Sequence, residues 1–113
     1  MEVSASVEGR CLVVEVLRAE VDHTVSDEFK DTVLARYEAA TARDLLLDFG
    51  QVTFMDSKAI GAMVSIRKAV TARGGRIGVC DLHPHVRKII QVVTLGTLFD
   101  AFPDRETALG EYR

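Results

Sequence analysis

The chain has 113 residues, a formal net charge of −3, 48% hydrophobic residues and 27% charged ones. That length supports one hydrophobic core with no room for a second. The composition excludes extended disorder, and the lack of a dense Lys/Arg cluster argues against direct nucleic-acid binding. No apolar run approaches the roughly 20 residues of a membrane span. The opening MEVSASVEGR has no basic segment followed by an apolar one, so neither membrane insertion nor export is expected. A single cytoplasmic domain over residues 1–113 is the expectation.

Two apolar runs come first, around Val3 to Val7 and Leu12 to Leu17, and Glu8-Gly9-Arg10 between them suits a tight turn. This pattern predicts a β-hairpin. DHTVSDEFKDTVLARYEAA follows, with Val25, Phe29, Val33, Tyr37 and Ala40 at helical spacing and Asp22, Thr24 or Ser26 available as a cap. Residues 44–49, DLLLDF, form a continuous apolar run with the character of a central strand buried on both faces. VTFMDSKAIGAM then leads into a helix from about Ser57 to Ala72, which stops at Gly74-Gly75.

RIGVCDL is a further strand, and Pro84 after His83 favours a helix start that continues through Val86, Ile89, Ile90 and Val93. LGTLFDAF supplies a short edge strand, and Asp104 begins a terminal helix. A hairpin followed by alternating strands and helices predicts an α/β fold with a mixed sheet of four to five strands and about four packed helices. Cys11 and Cys80 lie inside separate strand-like runs without metal or redox spacing, so both read as buried thiols in a reducing compartment.

On the helix from Ser57, a rotation of about 100° per residue puts Ala59, Ala62, Met63, Ile66, Ala69 and Val70 on one core-facing side. Ser57, Ile60, Gly61, Val64 and Lys68 gather on the opposite or flanking side, a face able to dock a partner. A wide apolar stripe under a loop would give the same pattern. Gly61 costs roughly 0.5–1 kcal/mol relative to alanine inside a helix, which suggests that another backbone approaches it closely. Ser57 reads either as an N-cap, a role Asp56 fills equally well, or as a modifiable hydroxyl. A phosphate there would bring a charge of about −1.5 to −2 to the positive end of the helix dipole and leave the fold intact.

Catalysis has little support. Ser57 lacks a G-x-S-x-G elbow, and its nearest base, Lys58, would need strong desolvation to lose its proton. Ser65 and Lys68 form an S-x-x-K pair without its companion motifs. Asp81, His83 and His85 surround Pro84 without a fourth clustered ligand, so they read as a strand-to-helix loop with His83 or its neighbour as the cap. Gly74, Gly75 and Gly78 match no phosphate-binding fingerprint and read as turn residues.

Taken together, LLLDFGQVTFMDSKAIGAM and ARGGRIGVCDLHPHVRKIIQVVTLGTLFDAF resemble the STAS domains of bacterial anti-sigma factor antagonists. The likeness covers nearly the whole chain and includes the D-S motif at Asp56-Ser57. The early AEVDHTVSDEF is similar to the family's second-strand exit, with Asp22 at the position of its usual acidic residue. The resemblance implies a STAS fold and a protein that is a kinase substrate, with no catalysis or cofactor of its own. In its unphosphorylated form it would bind an anti-sigma factor that is also a serine kinase of the ATPase fold, and so free the sigma factor. Phosphorylation of Ser57 would break that complex, and a PP2C-type phosphatase would restore it. The implied partner-binding residues are Asp22, Asp56, Ser57, Lys58, Ile60, Gly61 and Val64. After D-S the family usually has a small or hydroxyl residue, then Gly, then Leu-Gly; here Lys58-Ala59-Ile60-Gly61 occupies those places. Lys58 therefore sets a long cation beside the acceptor, a change that bears on kinase or partner choice. The alternative role on the same fold is a constitutive interaction subunit of a stress-signalling or lipid-transport complex, without phosphate turnover.

Overall fold

The computed structural model describes residues 1–112. Strands β1 (Val3–Glu8) and β2 (Cys11–Val16) form the expected antiparallel hairpin, with Gly9 at φ +63° in its turn. They are followed by β3 (Glu20–Val21), α1 (Ser26–Ala39), β4 (Asp44–Asp48), β5 (Phe54–Met55) and α2 (Ser57–Ala72). The chain ends with β6 (Ile77–Cys80), α3 (Pro84–Thr94), β7 (Asp100–Phe102) and α4 (Arg105–Glu111). Five strands make one mixed sheet in the order β1-β2-β4-β6-β7, with every pair after the hairpin parallel. The fold is thus the expected α/β arrangement with four helices. A separate two-stranded ladder of β3 and β5, absent from the sequence reading, runs parallel beside it.

Strand alternation divides the interior in two. On one face Val14, Leu45, Leu47 and Val79 meet Phe29 and Val33 of α1, Met63 and Ile66 of α2, and Val86 and Ile90 of α3. On the other, Cys11, Val13, Leu46 and Cys80 lie under Ala108 of α4 and Tyr112. All five residues of β4 are buried, as DLLLD predicts. Each of its leucines is worth roughly 1.5–3 kcal/mol on full burial.

The carboxylates that bound β4 must find partners, since an unpaired buried charge is costly. Asp44 accepts from the Arg76 amide at 2.8 Å, tying the start of β4 to that of β6. Asp48 accepts from the Gly50 amide at 2.9 Å and from the Arg105 guanidinium at 2.8 Å. Arg105 thereby pins the start of α4 to the end of the central strand. Just beyond the other end of α4, the Tyr112 hydroxyl donates to Asp100 at 2.8 Å, beside the Arg76–Asp100 ion pair at 3.0 Å.

Several helix ends differ from the sequence reading. None of Asp22, Thr24 and Ser26 caps α1: the N-cap is Val25, without a side-chain bond, because the Asp22 carboxylate turns back onto Thr24. His83 is the N-cap residue of α3, as expected, but its side chain makes no bond to the helix, and its Nε2 lies 2.9 Å from the Gly50 carbonyl oxygen instead. Asp104 does cap α4, accepting from the Thr107 amide at 2.7 Å. The end of α2 follows expectation, with Gly74 at φ +80°. Gly75 packs so tightly that a Cβ would run into the Arg43 carbonyl. Among the described residues no helix is long and apolar enough to cross a membrane.

Two measurements check this packing. Gly75→Ala should lower unfolding stability in urea by about 1–3 kcal/mol, since backbone and not a yielding side chain opposes the new methyl. Cys11 and Cys80 are fully buried, and burial pushes the Cys11 thiol up to about 12 and raises Cys80 also. At neutral pH both should therefore react with a thiol reagent only as fast as the protein opens, tracking the denaturant dependence of unfolding. Prompt labelling of either in the folded protein would contradict the packing.

Candidate functional site

The short β3–β5 ladder builds the site. Its register pairs Glu20 with Phe54 and Val21 with Met55, so Asp22 and Asp56, the next residue on each strand, emerge side by side. Two chain segments more than thirty residues apart therefore deliver their carboxylates to one place.

Asp56 is the N-cap of α2 and uses both carboxylate oxygens. Oδ1 accepts from the Ala59 amide at 2.9 Å, and Oδ2 accepts from the His23 amide at 2.7 Å. The first bond satisfies one of the open N–H groups of the helix start; the second ties α2 to the loop that leads into α1. The His23 ring also approaches, with Nδ1 3.5 Å from Oδ2. Asp22 closes the loop on itself, its Oδ1 accepting from the Thr24 amide at 2.9 Å and its carbonyl from the Val25 amide at 3.1 Å. The Thr24 hydroxyl and amide hold the Asp22 carboxyl below the usual carboxylate range.

With Asp56 as the cap, Ser57 is the first residue of α2 and is exposed. The N-cap alternative for Ser57 thus gives way to Asp56, whose side chain reaches the N3 amide from outside the helix. Among the described residues the Ser57 hydroxyl makes no hydrogen bond and has no base poised against it. It opens onto a groove of ≈ 430 Å³ between α1 and α2. From α2 come Ser57, Lys58, Gly61, Ala62 and Ser65, and from α1 Ser26, Asp27 and Lys30. The α1 wall escaped the sequence reading, because which helix flanks α2 is a matter of topology.

Two residues of the expected face, Ile60 and Val64, need correction. Ile60 is 0% exposed and belongs to the core, because α2 packs against both α1 and α3 as well as the sheet. Its buried belt is therefore wider than a single stripe. Val64 is half-buried and packs against the same core, and Ala69, expected inside, is also only half-buried. Gly61 is exposed, and a Cβ there would meet nothing within 4 Å. Among the described residues no backbone of this chain approaches it, and the missing side chain leaves the groove open there.

The loop candidates disperse. His85 stacks on Phe54 at 5.3 Å between ring centroids, and His83 turns to Gly50. Asp81 groups instead with Asp48 and Cys80, their candidate ligand atoms within 4.8 Å of one another. That cluster is a poor cation site. Asp48 already serves Arg105, and burial, with a hydrogen bond to Asp81, keeps the Cys80 thiol protonated.

Comparison with known proteins places this geometry. The anti-sigma F factor antagonist of Paenibacillus polymyxa is 24% identical over 102 residues, covering 90% of this chain and 87% of that protein. A STAS domain protein from Planctomyces limnophilus superposes with a TM-score of 0.85 at 21% identity, covering 98% of this chain and 97% of the other. The antagonist SpoIIAA in its unphosphorylated form superposes at 0.80 and 21% identity, covering 99% and 96% of the two chains. Its phosphorylated form, from Bacillus, gives 0.71 at 20% identity, covering 99% and 100%. The model of the STAS domain matches residues 2–108, nearly the full length, and this chain belongs to the STAS domain family.

Proposed function

We propose that this STAS domain is a cytoplasmic anti-sigma factor antagonist whose binding is switched at Ser57. The unphosphorylated form docks an anti-sigma factor that is also an ATPase-fold serine kinase, with the α1–α2 groove at the centre of the contact. Transfer of a phosphoryl group to Ser57 dissolves the complex, and a PP2C-type phosphatase restores it. The observation that carries this reading is that Asp56 takes over the capping task. The exposed Ser57 hydroxyl is then left without a structural role at the positive end of a 16-residue helix. The role of the Paenibacillus relative and the existence of phosphorylated and unphosphorylated SpoIIAA support the same reading.

The physics of the switch follows from burial. A partner covering the groove would remove water from Gly61, Ala62 and the neutral hydroxyl of Ser57 at small cost. A phosphate adds a charge of about −1.5 to −2 at the same place. Burying it without a matched cation costs several kcal/mol, whereas the free protein tolerates it beside the helix N-terminus. Lys58, exposed on the groove rim, is a cation the partner must accommodate and a candidate determinant of kinase choice. Asp22 and Asp56 act by shaping the loop beside the acceptor, and Val64 borders the contact.

Affinity capture from cells with wild-type, Ser57→Ala and Ser57→Asp forms tests the switch. Ser57→Ala should retain the kinase, Ser57→Asp should weaken its capture by at least about tenfold (about 1.4 kcal/mol), and mass spectrometry should place a single phosphate on Ser57. Equal capture by both variants, with no phosphorylated form in cells, would instead favour a constitutive interaction subunit. Gly61 separates docking from folding. Gly61→Ala should stabilise the protein by about 0.5–1 kcal/mol, because the new methyl meets open space. Gly61→Arg should leave the thermal melt nearly unchanged yet abolish capture of the partner by filling the groove.

A further inference from the structure

A second concavity lies between α3 and the edge of the sheet, with a volume of ≈ 250 Å³. Buried Val79, Ile90 and Phe99 line its interior, and exposed Ala101, which pairs with Val79 across the β6–β7 ladder, borders it on the edge strand. Arg87 and Gln91, both exposed, mark its mouth. They stand one turn apart on α3 and so share a face of that helix. Among the described residues Arg87 is the only charged group lining the concavity, and its guanidinium has no ion pair or hydrogen-bond acceptor.

We propose that this concavity is a binding site for a small amphipathic carboxylate. Its size lies between the roughly 150 Å³ apolar cavity that admits benzene and the roughly 300 Å³ at which pockets for larger ligands begin. The body of the ligand is apolar. The lining there is Val79, Leu82, Ile90, Phe99 and Phe102, and the Thr94 hydroxyl among them spends its proton on the Ile90 carbonyl at 2.6 Å. The head of the ligand is anionic. An unpaired guanidinium presents a planar fork matched to a carboxylate, the Gln91 amide offers a further donor beside it, and no carboxylate of the lining competes. The site is formed by residues outside the Ser57 groove and does not depend on phosphorylation.

The test is an amide NMR titration of the whole chain with octanoate and, as its neutral counterpart, octanol. Octanoate should give saturable shifts centred on Val79, Ile90 and Ala101, and octanol should bind at least about tenfold more weakly. Arg87→Gln should bring octanoate down to the octanol level without changing octanol binding. Ala101→Leu, which fills the concavity from the edge strand, should abolish uptake of both while the thermal melt shows a folded protein. Should that variant not fold, the octanol comparison and Arg87→Gln decide the matter. The proposal is overturned by an absence of saturable shifts, by equal affinity for acid and alcohol, or by shifts that persist in Ala101→Leu. Shifts centred on the exposed Val92 and Leu95 would likewise overturn it, as nonspecific adsorption to the apolar end of α3.

Discussion

Everything in this fold is arranged around a five-residue strand that is buried on both sides. β4 has no solvent-facing residue, so one layer of helices cannot complete the structure. Helices α1, α2 and α3 cover one face, and the seven-residue α4 covers the middle of the other. A helix that short is marginal by itself, and its attachment is correspondingly specific. Arg105 grips Asp48 at the end of β4, and Tyr112 reaches Asp100 on β7. The carboxylates flanking the leucines thus do two jobs: each ends the buried strand with a hydrogen bond, and each fastens a neighbouring element, Asp44 the start of β6 and Asp48 the start of α4.

The site beside Ser57 is a consequence of the same parallel arrangement. Parallel strands require crossovers that return the chain to the same end of the sheet, and the starts of α1 and α2 both lie just beyond the β3–β5 ladder. Asp56 makes that proximity a fixed geometry by accepting from one amide in its own helix and one in the other crossover. Ser57 is held in place by its neighbours, and among the described residues its side chain makes no hydrogen bond. The groove it opens onto is lined by small side chains, by Asp27 and by two lysines, Lys30 and Lys58, from different helices.

Much of this was legible in one dimension, and the exceptions share a cause. The hairpin, the buried run at residues 44–49, the helix from Ser57 to Ala72, the helix start at Pro84 and the cap at Asp104 all follow from local chemistry: alternation, apolar continuity, proline at a first turn, carboxylates at helix starts. The misreadings at Ile60 and Val64 arose from treating α2 as a cylinder with one buried stripe. A helix with neighbours on two sides buries more, so Ile60 goes inward, and the exposed strip narrows to the line through Ser57, Gly61 and Ser65. The β3–β5 ladder gave no periodic signal because two residues are too few for alternation to register.

The sequence by itself determined the class of fold and singled out Ser57 as the candidate residue of the site. Hydrophobic spacing dictates which segments become strands and helices, and a hydroxyl after an acidic helix cap is visible without coordinates. Only the tertiary structure decided which of Asp56 and Ser57 would serve as the cap, that Lys30 and Ser26 would face Ser57 across a groove, and that Arg87 would stand unpaired at the mouth of an apolar concavity. These depend on contacts between residues far apart along the chain, whose geometry is set by the order of strands in the sheet and by the room left once the large side chains have packed.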